Sequence, residues 1–489
     1  MTAPSPTRAT HLAVVLLILA LAGLVATPAA AGTAARAIVD PDLAEQTSAQ
    51  RAASLAEIGG QLKAQYVRLD VHWDRAEPAP GSYDPAYLDD VEELVDLAVG
   101  KGLKVVICFA YPPEWASDAT LWNAPPAGFA RGYQPFYAPR ADAADDFGAM
   151  VGTVATRFKD KVFAYECWNE PNLWLFMYPQ QKKVGDDFAI ERYALLLRAC
   201  HDAIDGVDGV GGADPAALVI GGTTAPIGEA DATVPSPYRT RPAYWAMRMK
   251  ALGLAEFFDA YSHHPYVPGG TTDIRPEAPP SPSDTRTTVQ LGNIGTLLKI
   301  FPDKDFYLTE FGYNTSYSLM FGGRALTQAQ QADYLRRAYK FASRYAQVKA
   351  LFWYLRRDSS PSGSADDRDG VYTGLRTVTN NARKRSWFAF AGGMRLTLAA
   401  SSPVRAGAST RLSGALTCSR LATTTRTGGL DGKALEMQRR VNASWKTVKT
   451  VTTRAGGRYV TWVRLTSDAR FRVIWRGVVI GPSRFVDVR

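Results

Sequence analysis

The sequence has few of the residues that build metal sites and disulfide scaffolds. Among its 489 residues are only four cysteines and five histidines. This cysteine content is too low for a fold held together by disulfides, and the spacings match no zinc motif. No acidic cluster with metal-ligand spacing accompanies the histidines, so we expect neither a metal nor another cofactor. Buried free thiols are the main expectation, although a bridge among Cys108, Cys167 and Cys200 stays open; Cys418 stands apart.

Long apolar runs are equally scarce, which excludes a polytopic membrane protein. The one such run, residues 12–25, follows a short polar start and precedes the small residues Ala29, Ala30 and Ala31. This pattern predicts a signal peptide over residues 1–31, with an uncleaved anchor as the alternative, although the run is short for a membrane-spanning helix. We therefore expect a protein that is secreted or associated with the cell surface and that has no transmembrane span after cleavage.

Positive charge is concentrated at one end of the chain. The formal net charge is +9. Residues 394–489 contain 18 basic and 4 acidic residues, a net charge of +14, whereas residues 1–393 contain 38 basic and 43 acidic residues, a net charge of −5. A region of this charge attracts polyanions, and on an exported protein an anionic cell-wall polymer or an acidic glycan fits best. A spacer of basic composition is the alternative, and no nucleic-acid partner is expected.

Apolar strands alternate with amphipathic helices over residues 32–393. This alternation predicts an α/β fold with a parallel sheet, and eight strands are the number that closes a (β/α)8 TIM barrel. Helical periodicity stops at Gly392 and Gly393, and seven short alternating strands over residues 394–489 predict an all-β sandwich. The eight predicted barrel strands are residues 37–39, 66–70, 104–109, 162–168, 218–220, 257–262, 305–309 and 349–354.

Two glutamates follow apolar strands at the predicted mouth of the barrel. Glu170 comes after the fourth strand, in Trp-Asn-Glu-Pro-Asn, and Glu310 ends the seventh, in Leu-Thr-Glu-Phe-Gly. Strands four and seven lie on opposing parts of the ring, so the two carboxylates can face each other. Such a pair suits glycosidic bond cleavage, with one acid protonating the leaving oxygen and the other attacking the anomeric carbon. The alternative is that each glutamate merely caps a strand end or pairs with an arginine.

These motifs resemble the clan A retaining glycoside hydrolases, and glycoside hydrolase family 39 and its relatives look nearest, with family 5 second. The resemblance covers nearly all of residues 34–392. It also includes Val-Arg-Leu-Asp-Val-His-Trp from residue 67, Tyr-Pro-Pro-Glu-Trp-Ala from residue 111, and His-Pro-Tyr from residue 264. The region after residue 394 resembles bacterial immunoglobulin-like accessory domains.

The resemblance implies a role for each matching residue. Glu170 matches the general acid/base, Glu310 the nucleophile, and Asn169 the residue that hydrogen-bonds the sugar 2-hydroxyl. Arg68 matches the arginine that keeps the nucleophile ionised, and Tyr266 the tyrosine that donates to it. The alternative for Arg68 is a structural ion pair.

Two further positions carry over from the resemblance with an open choice. His264 matches the histidine of the sugar site, and we prefer it to the adjacent His263 because it precedes Pro-Tyr. Trp353 matches the aromatic platform under the sugar ring, with ordinary barrel packing as the alternative. Arg356 and Arg357 follow near the mouth, where they either select an acidic sugar or form surface ion pairs.

The sequence thus predicts a secreted, retaining β-glycoside hydrolase that acts on oligo- or polysaccharides by double displacement. The alternatives are a non-catalytic carbohydrate-binding or cell-wall-associated barrel and a transglycosylase that uses the same two carboxylates.

Overall fold

The computed structural model describes most of the chain beyond the predicted signal peptide, which lies outside the described residues. The described residues are 33–207, 210–269, 271, 273–316, 325–359, 371–392, 394–418, 431–442, 444–475, 479–480 and 483–489. None of the helices in these ranges has the length and apolarity that crossing a membrane requires.

Eight parallel strands form a closed barrel, as the sequence predicts. Each strand pairs with its sequence neighbours, and the first closes the ring by pairing with the eighth. The strands are β1 (Ala35–Val39), β2 (Tyr66–His72), β3 (Lys104–Ala110), β4 (Val162–Glu166), β5 (Leu218–Thr224), β6 (Ala260–His263), β7 (Asp305–Phe311) and β8 (Val348–Tyr354).

Helices surround the barrel and follow the apolar stripes of the sequence. They are α1 (Ser48–Ala56), α2 (Trp73–Ala76), α3 (Pro85–Gly100), α4 (Ala144–Arg157), α5 (Phe188–Asp205), α6 (Pro242–Ala251), α7 (Gly295–Ile300), α8 (Gln328–Ala342) and α9 (Arg385–Ala391). Helix α3 shows why they form where they do. The Asp84 side chain accepts hydrogen bonds from two backbone amides of the first turn, and Pro85 occupies the first helical position. Just beyond the helix, Gly102 takes a φ of 72°, which ends it.

Side chains of the barrel strands divide into two cores. Residues that point inward pack on one another, among them Tyr66, Val106, Tyr307 and Phe352, and residues that point outward pack under the helices. The two-residue period of a strand produces this division. It also decides which polar side chains reach the mouth, because only inward-pointing positions at the strand ends can do so.

The C-terminal region is all-β, as expected. Its strands are β9 (Met394–Leu396), β10 (Ala399–Ala400), β11 (Ser409–Cys418), β12 (Ala434–Val441), β13 (Ser444–Thr452), β14 (Arg458–Arg464), β15 (Ala469–Trp475), β16 (Val479–Ile480) and β17 (Arg484–Val486). They form two antiparallel sheets: β9, β10 and β14 pair with β11, and β12 and β15 form the centre of the other. Apolar side chains from both sheets are buried together.

The cysteines differ from the main expectation. Cys167 and Cys200 form a disulfide with a Cα–Cα distance of 6.2 Å, so the expectation of free thiols is wrong for this pair. Cys108 is a buried free thiol, as expected. The side chain of Cys418 lies outside the described residues. Spacing alone does not reveal the bridge, because it joins the end of β4 to the middle of α5 across a helix–strand packing contact.

Candidate active site

Arginine and carboxylate side chains from β2 point into the mouth of the barrel. The alternation of the strand places Tyr66, Arg68, Asp70 and His72 on its inner face. Arg68 is almost completely buried, whereas Asp70 and His72 nearer the rim are partly exposed. The guanidinium therefore lies below the mouth, where its charge acts on every carboxylate around it.

A local irregularity of β7 brings Glu310 into the mouth. Simple alternation from the inward-pointing Tyr307 would send Thr309 inward and Glu310 outward. Between the pairs Leu308–Leu351 and Phe311–Trp353, however, β7 spans three residues and β8 spans two. A bulge of this kind re-aims side chains. Both Thr309 and Glu310 consequently contact residues inside the barrel.

Glu170 lies on a turn after β4 that departs from ordinary backbone geometry. Trp168 has a φ of 91° and Glu170 a φ of 37°, in the left-handed region that non-glycine residues rarely adopt. Asn172 anchors the turn, because its amide oxygen accepts from the Ala225 backbone and its amide nitrogen donates to the carbonyl of Thr240 at 3.0 Å. Such backbone conformations persist only where the surroundings enforce them, and they cluster at functional sites.

Arg68 joins the two halves of the site. Its Nη1 donates to Glu310 Oε1 at 2.9 Å, and its Nη2 donates to Asn169 Oδ1 at 2.7 Å. Its Nε lies 3.1 Å from Asp70 Oδ1, on the rim side, and 3.2 Å from Glu166 Oε2, on the buried side. The pKa of Arg68 is raised well above its ordinary value because these carboxylates outweigh the effect of burial. The guanidinium therefore stays charged.

His264 contacts both halves of the carboxylate pair and is completely buried. Its Nδ1 lies 2.8 Å from Glu170 Oε1 and 3.8 Å from Glu310 Oε2, and its Nε2 lies 3.0 Å from Thr309 Oγ1. The Thr309 hydroxyl donates to Glu166 at 2.7 Å, so it is an acceptor toward His264. Thr309 can therefore accept a hydrogen bond from Nε2, whereas Nδ1 is the ring nitrogen that faces Glu170.

The two carboxylates occupy distinct surroundings. One carboxylate oxygen of Glu170, one of Glu310 and a ring nitrogen of His264 lie within 4.8 Å of one another. Tyr266 donates its hydroxyl to Glu310 Oε2 at 2.9 Å. Burial raises the pKa of Glu310, and the positive charges of His264 and Arg68 act against that rise. Burial lowers the pKa of His264, but the charge of Glu310 and the hydrogen bond to Glu170 outweigh it and the net shift is upward.

The same three side chains are the set among the described residues that offers ligand atoms for a metal ion. Arg68 argues against that use. Its Nη1 lies 2.9 Å from Glu310 and 3.3 Å from His264, so a fixed positive charge already occupies the position of a counter-ion.

Comparison with known proteins decides the family. The model of the cellulase family, glycosyl hydrolase family 5, matches residues 45–359, which is more than half of the chain. The chain belongs to glycosyl hydrolase family 5. It is a clan A glycosidase, which confirms the predicted resemblance to that clan. The matching model is that of family 5, which the sequence motifs placed second to family 39. No curated protein matches the chain.

Solved glycoside hydrolases are similar to this family 5 enzyme at low sequence identity. A subfamily 18 member of family 5 from Streptomyces cattleya, solved with Manb1-4GlcNAc, is 15% identical with a TM-score of 0.50; the alignment covers 73% of this chain and 79% of that one. A family 39 enzyme from Bacteroides cellulosilyticus WH2 is 17% identical with a TM-score of 0.48, over 92% and 80% of the two chains.

The structure brings together six of the seven predicted site residues of this family 5 enzyme. They are Arg68, Asn169, Glu170, His264, Tyr266 and Glu310. His263 is directed elsewhere: it bonds Thr224 and the Val289 carbonyl, and burial lowers its pKa to about 3.

Trp353 is the predicted site residue that lies elsewhere. Its side chain has no exposed surface, packs in the outer core and donates to the Thr373 carbonyl at 2.9 Å. Its neighbour Tyr354 points inward and is partly exposed. The alternation of β8, with Phe352 and Tyr354 facing inward, is the sequence signal that distinguishes the two.

The two arginines after β8 are committed outside the mouth. Arg356 is buried and pairs with Asp40 at 2.5 Å and with Glu57 at 3.6 Å, so the expected surface pairing is a buried one instead. Arg357 donates to the Val378 carbonyl. Arg356 is thus engaged by carboxylates of the chain itself, and the hydrogen bond of Arg357 goes to a backbone carbonyl.

Three residues of the site went unrecognised in the sequence. Glu166 and Thr309 support His264 and Arg68 from below, and Asp70 exposes part of its carboxylate at the mouth. Glu166 lies four residues before Glu170 and is completely buried on the inner face of β4. The sequence signal for it is the alternation of β4, which places Glu166 on the same face as Ala164.

Proposed function

We propose that this glycosidase hydrolyses β-glycosidic bonds with retention of configuration, with Glu310 as nucleophile and Glu170 as general acid/base. The observation that carries the proposal is the close approach of the two carboxylates: one oxygen of Glu170 and one oxygen of Glu310 lie within 4.8 Å of each other. Retaining enzymes place their carboxyl groups about 5–5.5 Å apart, whereas inverting enzymes leave room for a water molecule at about 6.5–9.5 Å.

The first step forms a glycosyl-enzyme. A carboxylate oxygen of Glu310 attacks the anomeric carbon, and Glu170 gives its proton to the leaving oxygen as the glycosidic bond breaks. Arg68 and Tyr266 hold the attacking carboxylate in place with hydrogen bonds of 2.9 Å each. Glu170 Oε1 lies 2.8 Å from His264 Nδ1, which places the imidazole within hydrogen-bond reach of the acid.

The second step releases the sugar. Glu170, now a carboxylate, removes a proton from water, and the water oxygen attacks the anomeric carbon while the bond to Glu310 breaks. Asn169 supports both steps. Because its Oδ1 accepts from Arg68, its Nδ2 group is turned toward donation, and we assign it to the sugar 2-hydroxyl.

The proposal extends to where the enzyme works and what it acts on. We propose export, supported by the apolar N-terminal run and by the disulfide between Cys167 and Cys200, since disulfides persist in oxidising compartments. We propose an oligo- or polysaccharide substrate, and an anionic cell-wall polymer or acidic glycan as the partner of residues 394–489, supported by the net charge of +14 there.

A substrate panel with stereochemical analysis tests the catalytic proposal. We expect hydrolysis of at least one aryl β-glycoside, loss of that activity in Glu310→Ala, and first formation of the β-anomer by proton NMR. Initial formation of the α-anomer would refute retention. Disaccharide products at early times, in place of free sugar, would instead indicate transglycosylation.

A further inference from the structure

The outer face of one C-terminal sheet carries an open tryptophan. Trp462 lies on β14 and exposes 53% of its surface. The other tryptophan on a C-terminal strand surface, Trp445, is covered by the guanidinium of Arg472, 4.5 Å from its ring centre. A single exposed ring is common on protein surfaces, so its neighbours decide whether it belongs to a binding site.

Cations surround this ring on both strands. Arg411 of β11 is the residue directly paired with Trp462, and Arg464 follows two positions along β14 on the same face. Directly paired side chains in an antiparallel sheet lie about 4.5–5.5 Å apart at their Cβ atoms. Lys449 of β13 reaches the Trp462 carbonyl at 3.5 Å from the neighbouring sheet. All three cations are exposed.

These cations are not neutralised by the acids of the region. In the described part of residues 394–489, the one ion pair joins Asp487 to Arg489. Glu436, which lies on the other sheet, accepts from Gln438 and Thr447 there. Asp431 accepts from the Gly457 backbone, and Asp468 accepts from the Val488 backbone. Arg411 and Arg464 donate only to neutral oxygens, the Ser413 hydroxyl and the Gly407 carbonyl. Among the described residues, neither guanidinium is paired with a carboxylate.

An open cavity lies beside the ring. A cavity of about 460 Å³ runs between β13 and β14 and is lined by residues 449–454 and 460–462. Trp462, Lys449 and Arg454 all contribute to this lining. A flat indole stacks on the apolar face of a pyranose ring, and a guanidinium binds a carboxylate through two parallel hydrogen bonds.

We propose that Trp462, Arg411, Arg464 and Lys449 form a binding site for an acidic polysaccharide with carboxylates on its pyranose rings. A neutral glycan would leave the cluster of cations unpaired. This proposal rests on the proposed binding of residues 394–489 to an anionic polymer and specifies the site. It is independent of the roles of Glu170 and Glu310. By tethering the barrel to its surroundings, such a site raises the local concentration of glycan at the active site.

Affinity electrophoresis of the full chain in gels with polygalacturonate or neutral dextran tests this site. We expect retardation by polygalacturonate alone. Trp462→Ala and the double variant Arg411→Ala/Arg464→Ala should each weaken binding about tenfold or more, as loss of an aromatic or paired-charge contact predicts. The matched controls are Phe485→Ala, an aromatic residue that is also 53% exposed, and Arg440→Ala, an exposed arginine of β12. Both controls should bind as the wild type does.

Other outcomes overturn the proposal. Binding of Trp462→Ala at wild-type strength does so, as does equal retardation by dextran. Duplex DNA and vesicles of anionic lipid serve as competing polyanions. If the loss caused by Trp462→Ala occurs with either of them and not with polygalacturonate, the acidic polysaccharide is the wrong ligand. Hydrolysis of an aryl glycoside by the same variants reports folding of the barrel, and the binding result stands whether or not hydrolysis is found.

Discussion

The disulfide between Cys167 and Cys200 ties the segment that carries Glu170 to helix α5. Cys167 directly follows the last residue of β4 and precedes Glu170 by three positions, and both sulfurs are buried. The intervening Trp168 has a φ of 91°. A covalent anchor at the base of this turn opposes relaxation of the strained backbone, and it thereby holds the carboxyl of Glu170 at 2.8 Å from His264.

We predict that removing this bridge impairs acid catalysis selectively. In Cys167→Ser/Cys200→Ser, turnover of aryl glycosides with poor leaving groups should fall about tenfold or more, because misplacement of a catalytic group by about 1 Å can cost about 100-fold. Substrates with a 2,4-dinitrophenyl leaving group need no proton and should lose much less. Steady-state kinetics across a leaving-group series measures the difference.

Reductant provides the control for that variant. Because both sulfurs are buried, dithiothreitol should reproduce the leaving-group dependence in the wild type only where low urea opens the bridge, and under the same conditions it should have no further effect on the double variant. An equal loss for every leaving group would show that the bridge contributes to folding and not to the position of Glu170.

Azide distinguishes the two carboxylates by the stereochemistry of its product. In Glu170→Ala, azide should fill the vacated space, attack the glycosyl-enzyme and give a glycosyl azide of retained configuration. In Glu310→Ala, no glycosyl-enzyme forms, so direct attack by azide should give the opposite anomer. Without azide, loss of the general acid should lower turnover of unactivated substrates about 100- to 10,000-fold. Proton NMR of the glycosyl azides checks the assignment. The opposite anomer from Glu170→Ala and the retained one from Glu310→Ala would make Glu170 the nucleophile and Glu310 the acid/base.

Tyr266 should control the pH at which the nucleophile ionises. Its hydroxyl donates to Glu310 at 2.9 Å, and a hydrogen bond to a carboxylate stabilises the charged form. In Tyr266→Phe the pKa of Glu310 should therefore rise, and the acidic limb of kcat/KM should move to higher pH. We also expect about a 10- to 100-fold lower kcat/KM at the optimum, since hydrogen bonds to charged groups contribute about 1.5–3 kcal/mol.

The matched control for that change is Tyr261→Phe. Tyr261 is also buried, but its hydroxyl faces Thr224 and not the carboxylates. Its pH profile should keep the wild-type acidic limb. A shift of the same size in both variants would assign the effect to general loss of packing.

The barrel was predictable because its signals are local and repeated. Each of the eight predicted strands occurs, and helix α3 begins at the Asp84 cap that its sequence carries. The positions of Glu170 and Glu310 after β4 and near the end of β7 also follow from the chain, since parallel strands bring their carboxyl ends to one edge.

Other parts of the site depend on features that no local pattern contains. The bulge of β7 that turns Glu310 inward arises from its pairing with β8. Glu166 and Thr309 become parts of the site only because the closed barrel places them beneath His264 and Arg68. The bridge between Cys167 and Cys200 likewise depends on how α5 packs on β4.

His263 should make the protein less stable in mild acid. Burial lowers its pKa to about 3 in the folded chain, whereas an unfolded histidine has a pKa of about 6.5. The unfolded chain therefore binds a proton that the folded chain does not, and the free energy of unfolding falls as the pH drops below about 6.5. From pH 7 to pH 5 this group should account for roughly 2 kcal/mol.

Chemical denaturation at pH 7 and pH 5 measures this contribution. His263→Gln has its own cost, from the bonds to Thr224 and the Val289 carbonyl, but it should lose less stability between the two pH values than the wild type. Equal losses in both proteins would show that other groups govern the acid sensitivity.

Substitutions of Trp353 and of its neighbour Tyr354 should affect different properties, the first mainly stability and the second mainly substrate binding. Trp353→Phe removes the hydrogen bond to the Thr373 carbonyl and leaves a cavity in the outer core, which should cost about 1–3 kcal/mol and lower Tm by several degrees, with KM unchanged. Tyr354→Ala removes an inward-pointing, partly exposed ring and should raise KM with a smaller change in Tm. Thermal melts and steady-state kinetics on one aryl glycoside measure both quantities. If Trp353 is packed under the helices, its substitution can affect substrate binding only by destabilising the barrel. A raised KM with an unchanged Tm in Trp353→Phe would therefore indicate that Trp353 contacts the sugar.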